Sequence, residues 1–187
     1  NNLNDAMLWG LLPILLLQKH FTLTETGSII AVYPAVWGIT QILTGKLSDV
    51  VCKKSLLFWG MLIQAIALFL LIIATHFSQF IAISTLLGLG TAFVYPTFMA
   101  SIADNTHPAD RAESIGVFRL WRDLGYAFGA ILTGFLADQF NLSIAITGVA
   151  GLTLLSAFII QFRMGCSTHH PKLSDVLKPI KINYTKQ

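Results

Sequence analysis

The sequence predicts an all-α membrane protein, six transmembrane helices in two inverted triplets, and three observations predict it. Hydrophobic residues fill 55% of the 187 positions and charged residues 11%, at a mean hydropathy of +0.69; soluble domains carry about 25% charged residues. Six segments approach the roughly 20 apolar residues that cross about 30 Å of hydrocarbon. Finally, Ile42-Leu43-Thr44-Gly45-Lys46-Leu47-Ser48-Asp49 and Ile131-Leu132-Thr133-Gly134-Phe135-Leu136-Ala137-Asp138 agree at six of eight positions, 89 residues apart. Each copy closes a long apolar segment at the corresponding place in its half, as an internal repeat requires.

The first segment covers 3–19. Asn1, Asn2, Asn4 and Asp5 leave an apolar run of 14 residues, 6–19, about 21 Å long at 1.5 Å per residue. There is no initiator Met and no signal-peptide pattern, so residues 1–5 are expected to lie inside a longer helix continued upstream. Thr22-x-x-Glu25 is a capping box that opens the second helix, expected to end near Gly45. The third covers 55–74. The fourth covers 80–102 with Pro96 inside, tolerated where neighbouring helices satisfy the carbonyl a proline frees. Asp110-x-x-Glu113 reads as another capping box, opening a fifth helix to Leu136, and the sixth spans 142–162. Residues 1–165 are thus one six-helix bundle. Residues 166–187 hold Pro171, Pro179, His169, His170 and four lysines without an apolar run, and read as a poorly ordered cytosolic tail.

Charge orients the bundle, because Lys and Arg accumulate in cytoplasmic loops. With the chain start inside, eleven of the twelve Lys and Arg residues fall on the cytoplasmic side and only Lys19 outside. Both ends are therefore expected in the cytoplasm. In the inverted repeat the copy ending at Asp49 lies inside and the copy ending at Asp138 outside. The net charge of +3 then reflects topology and contact with anionic lipid, not nucleic acid. Cys52 and Cys166 are too few for a disulfide framework and read as free thiols.

The turn after the second span reads Gly45-Lys46-Leu47-Ser48-Asp49-Val50-Val51-Cys52-Lys53-Lys54. Glycine permits close helix approach, a carboxylate accepts bonds from an opposing helix N-terminus, and lysines hold the turn in the cytoplasm. In the fifth span, Phe118-Arg119-Leu120-Trp121-Arg122-Asp123-Leu124-Gly125 places Arg119, Arg122 and Asp123 two to three turns inside the helix. At that depth ionisable groups need partners or a watery cavity. Gly125 and Gly129 make a small face for helix packing, with Gly134 further along.

These motifs resemble the major facilitator superfamily, whose signature turn G-x-L-A-D-R-x-G-R-K follows the second helix of each half. Gly45, Leu47, Asp49 and Lys54 match and Lys53 replaces Arg, whereas Val50 departs at the usual Arg and Cys52 at the usual Gly. The R-D-L-G-x-x-x-G run from Arg122 to Gly129 is similar to the eleventh helix of bacterial members. Tyr95-Pro96-Thr97, Ala103-Asp104 and Tyr33-Pro34-x-x-Trp37-Gly38-x-x-Gln41 extend the likeness over residues 1–165. The resemblance implies helices seven to twelve of a twelve-helix carrier in a bacterial cytoplasmic membrane, with an N-terminal six-helix half as partner.

Helix periodicity nominates path-lining residues. Tyr33, Trp37 and Gln41 form one stripe at i, i+4 and i+8, as do Asn1, Asp5 and Trp9, with Asn4 beside them; Thr91 and Tyr95 lie one turn apart before the Pro96 break. Such stripes also serve plain helix packing. The third span shows only Ser55 and Gln64 as polar side chains and is expected to face lipid. Asp5 is the sharpest candidate, since an ionisable group inside the membrane is functional by default and a carboxylate can carry a proton; the competing reading is an interfacial N-terminus with Asn1, Asn2 and Asn4. Arg119, Arg122 and Asp123 are charge candidates for the same coupling, against a local ion pair that only fixes helix depth.

Secondary active transport of a small solute by alternating access, coupled to protons, is the function these features predict. The alternative is a truncated, non-transporting six-helix component or interaction scaffold. An enzyme is not expected. His20 and His76 lie toward one face, His107 toward the other and His169 and His170 in the tail, so no metal site or His–carboxylate pair assembles at one depth. No phosphate-binding glycine loop suggests an ATP-driven pump, and no cofactor is called for.

Overall fold

The structure, a computed structural model, describes residues 2–166. It contains six α-helices joined by short turns: α1 (Asn2–Gln18), α2 (Leu23–Val50), α3 (Lys53–Ile73), α4 (Phe77–Asn105), α5 (Arg111–Gln139) and α6 (Leu142–Arg163). There is no strand among the described residues. Four helices, α2, α3, α4 and α6, are long and apolar enough to cross a membrane by length and composition. The tail expected over 166–187 lies outside the described residues beyond Cys166.

Local chemistry explains most boundaries. The Thr22–Glu25 box forms as expected, the Thr22 side chain accepting from the Glu25 N–H and the Glu25 carboxylate accepting from the Thr22 N–H at 2.9 Å. The Asp110–Glu113 box does not form. Pro108 opens a short 3-10 turn, Pro108–Asp110, and Asp110 at φ −101°, ψ 1° lacks the extended backbone from which an N-cap side chain reaches the helix amides. His107 caps that turn instead. α2 runs five residues past Gly45 to Val50, so Gly45, Leu47 and Asp49 are helical and only Val51 and Cys52 separate α2 from Lys53 and Lys54.

A second correction concerns the cysteines. Cys52 and Cys166, 114 residues apart, are disulfide-bonded and not free thiols. The close packing of α3 on α6 brings their flanking segments to one end of the bundle.

Packing follows a regular scheme. α2 lies on α4, α1 lies on α5, and α3 bridges α4 and α6. Glycine makes the tightest approaches. A Cβ at Gly60 would stand 2.9 Å from the Gly90 carbonyl oxygen, and one at Gly88 2.7 Å from the Tyr33 carbonyl oxygen. On the other pair, Gly129 sits against Leu3 and Ala6, and Gly125 is in ordinary contact with Asn2, while nothing lies within 4 Å of a Cβ at Gly134 or Gly45.

The echoed segments are used differently. Thr44 Oγ1 donates to the Ala92 carbonyl at 2.6 Å. Ala92 is four residues before Pro96, so its carbonyl is the one that proline leaves without a helical donor. The equivalent Thr133 turns back onto its own helix, donating to the Gly129 carbonyl at 2.7 Å.

The main core lies at the end carrying the α1–α2, α3–α4 and α5–α6 turns. Leu12, Leu16, Ile29, Leu68, Leu71, Phe80, Leu87, Ile146 and Val149 interdigitate there. At that end Lys19 Nζ donates to the Ala74 carbonyl at 2.7 Å, closing the C-terminus of α3. The opposite, basic end has only a small cluster of Leu57, Met61, Val94 and Ala157. α5 buries just Gly129 and Thr133, leaving Leu120, Trp121, Phe128, Ile131 and Phe135 exposed.

Candidate functional site

Asp5 is buried inside the bundle. It lies in the first turns of α1, 4% exposed, because Gly129 lets α1 settle onto α5 at Leu3 and Ala6. Its carboxylate accepts from the Tyr33 hydroxyl of α2 at 2.5 Å and from the Tyr126 hydroxyl of α5 at 3.3 Å. Two phenols from different helices thus take over part of the solvation that water would give the charge.

The Asp5 cluster continues into α4 and α3. Tyr33 Oη is 3.1 Å from Thr91 Oγ1, which accepts from Gln64 Nε2 at 2.7 Å, and Gln64 Oε1 accepts from Asn4 Nδ2 at 3.3 Å. A hydroxyl carries one hydrogen. With Tyr33 donating to Asp5, the single Thr91 hydrogen is shared between the Leu87 carbonyl of its own helix, at 3.0 Å, and Tyr33 Oη. The chain Asn4–Gln64–Thr91–Tyr33–Asp5–Tyr126 therefore links five helices.

Gln64 marks the side of α3 that turns inward. The residue is fully buried, and Gly60, Gln64, Leu68 and Leu71 form the packed side of α3, while Trp59, Ile66 and Ile73 form the exposed side. A lone polar residue in an apolar helix gives no direction until its partner is known.

Two cavities adjoin this cluster. One of about 190 Å³ is lined by Asn2, Asp5, Trp37, Thr91, Tyr95, Arg122 and Tyr126. Another of about 340 Å³ shares Asn2, Tyr95 and Arg122 and adds Phe98, Phe118 and Trp121. Both lie on the basic side of the core. Trp37 Nε1 and Asn4 Oδ1 are buried without a partner among the described residues, and the Trp37 ring forms part of the smaller cavity's wall.

The structure thus gathers Asp5, Tyr33, Trp37, Thr91, Tyr95 and Arg122, with Asn4 in the hydrogen-bond chain. Trp9 touches the edge of the Tyr33 ring, 6.2 Å between centroids, but is half-exposed. Gln41 is half-buried and borders neither cavity, Arg119 is exposed, and Asn1 lies outside the described residues. Asp123 is paired with Arg122 at 2.9 Å. In the basic turn Lys53 is ion-paired with Asp104 of α4, while Asp49 is exposed and Lys54 half-buried. Sequence reasoning missed Gln64, Tyr126 and Asn2. Tyr126 stands one turn after Arg122, a spacing that could have flagged it.

A polytopic helical membrane protein with a buried carboxylate beside a polar cavity is the class these features define. The chain matches the Major Facilitator Superfamily over residues 1–180, and it belongs to that family. It is 28% identical over 182 residues to the Inner membrane transport protein YnfM of Escherichia coli K12, covering 96% of this chain and 44% of that protein. It is 25% identical over 189 residues to Multidrug resistance protein 2 of Bacillus subtilis 168, covering 96% and 47%. The fold is similar to that of a crystallised peptide transporter, POT in complex with sulfate, at a TM-score of 0.73, 18% identity, 85% of this chain and 34% of that one. The chain spans less than half the length of these curated relatives. It is an integral inner-membrane protein.

Proposed function

We propose that the chain forms half of a secondary active transporter that moves a small solute by alternating access, with Asp5 as its proton-carrying group. The observation that carries this reading is the carboxylate held by phenols from α2 and α5 at the wall of a cavity. A carboxylate at a cavity wall changes its surroundings when this six-helix unit rocks against a second one. The packing of α2 on α4 and of α1 on α5 supports a 3+3 inverted repeat over 1–165, because exchanging the triplets turns one pair into the other. The eleven-to-one distribution of Lys and Arg supports both ends of the bundle, and the 166–187 tail, in the cytoplasm. A second six-helix unit covers the exposed apolar faces of α2 and α5, and the remaining surface meets lipid. The basic turn, with Lys53 held by Asp104, ties the start of α3 to the end of α4.

The test is flux in proteoliposomes carrying the complete transporter, this chain together with the second six-helix unit. A pH gradient should drive accumulation of a transported solute, and Asp5→Asn should abolish that drive while exchange at equal pH persists. Gradient-driven accumulation at the parent rate in Asp5→Asn refutes the assignment of the proton to this carboxylate.

A further inference from the structure

We infer that Arg122 and the aromatic cavity beside it form a subsite for a planar organic anion. The inference deepens the transport reading by naming the chemistry of the solute. The cavity volume of about 340 Å³ falls in the range of small-molecule sites. Its walls are the rings of Tyr95, Phe98, Phe118 and Trp121, with Arg122 as its cation and Asn2 at the edge. Phe98 and Phe118 are in ring contact, 6.0 Å between centroids at 38°, and with Tyr95 and Trp121 they give the cavity an aromatic lining on which a flat ring can stack.

Arg122 is held in place but incompletely used. Its Cζ lies 5.8 Å from the Tyr95 ring centroid and Nη1 donates to the Tyr95 hydroxyl at 3.3 Å, so the guanidinium plane is fixed against an aromatic face. Nε donates to Asp123 Oδ1 at 2.9 Å, and Nη2 stands 2.9 Å from the same oxygen. A guanidinium prefers two parallel bonds to two carboxylate oxygens, and residues i and i+1 on a helix do not face each other. The Asp123 side chain is 60% exposed against 26% for Arg122, so within this bundle nothing holds it against Arg122 when it lets go. Asp123 is a place-holding counter-ion. A carboxylate entering from the cavity takes the fork in bidentate fashion, and its ring lies against the aromatic lining.

The probe is 2-naphthoate, with neutral 2-naphthamide and the cationic trimethyl-2-naphthylammonium as matched comparators, titrated by calorimetry into the full chain in detergent. Naphthoate should bind at least about ten-fold more tightly than the other two, the scale of a hydrogen-bonded charge pair. Arg122→Gln should erase that difference, and Asp123→Asn should tighten naphthoate by several-fold. Equal binding of the three probes, or preference for the cation, overturns the proposal. So does unchanged naphthoate affinity in Asp123→Asn, a measurement that stands even if Arg122→Gln fails to fold. Phosphatidylglycerol occupying the site with no binding of free naphthoate would assign it to a lipid headgroup and overturn the proposal for a free solute. Naphthoate binding without flux in liposomes refutes transport and leaves the subsite standing, whereas gradient-driven flux of the cation with no naphthoate binding does the reverse.

Discussion

The two ends of the bundle are built to different standards. At the turn end, Leu16, Leu68, Leu71, Phe80 and Leu87 are fully buried in one continuous core, and Lys19 closes α3. At the basic end, the core shrinks to a few side chains and the space is given to cavities bordered by Tyr95, Phe98, Phe118 and Arg122. In a bilayer, lipid is as apolar as leucine, so helices hold together by packing and hydrogen bonds. A bundle closely packed at one end keeps its cavities at the other, from the basic side down to the Asp5 cluster.

This contrast can be broken by substitution, read as thermal unfolding of the detergent-solubilised chain. The largest effect is expected for Leu16→Ala in the packed end, about 3 kcal/mol of destabilisation from the cavity left behind. Phe98→Ala at the open end should cost much less, and equal losses would mean that the two ends are packed alike. Gly60→Ala should cost about 2 kcal/mol by forcing α3 from α4, whereas Gly134→Ala, with nothing near its Cβ, should be neutral or slightly stabilising, as alanine favours helix over glycine by up to about 1 kcal/mol. Tyr33→Phe removes a donor from Asp5 and should cost about 1–2 kcal/mol together with slower gradient-driven flux; parent stability and flux would remove Tyr33 from the cluster. The smallest effect is expected for Lys53→Ala, below about 1 kcal/mol, since its partner Asp104 is largely exposed. A double-mutant cycle with Asp104→Ala checks that value.

What the sequence made legible was apolar length and local capping. The six helices and the Thr22–Glu25 box needed only short-range information. The overrun of α2 to Val50 was hidden because Gly45 and Asp49 read as turn chemistry although their helix continues. Gln64 could not be oriented, since its partners Asn4 and Thr91 lie 60 and 27 residues away. Arg119 and Arg122 looked equivalent in depth and stand only about 60° apart around the helix, yet Arg119 is exposed and Arg122 borders both cavities. The Cys52–Cys166 bond joins positions that only the packing of α3 on α6 brings together. Asp5, by contrast, was singled out from its charge beside an apolar segment alone, and the structure adds the Tyr33 and Tyr126 hydroxyls around it.

The bond from Thr44 to the Ala92 carbonyl has a mechanical meaning. A carbonyl released by Pro96 cannot be recaptured by its own helix, so its hydrogen-bonding demand is met by α2 at one axial height only. Sliding α4 along α2 by a single turn would orphan that oxygen in a dry interior. With Gly88 seated on the Tyr33 carbonyl a few residues away, the pair is pegged at two points like a keyed shaft. α2 and α4 then travel as one beam, and the bundle's freedom to change shape is left to the surfaces where α1 and α5 meet the rest.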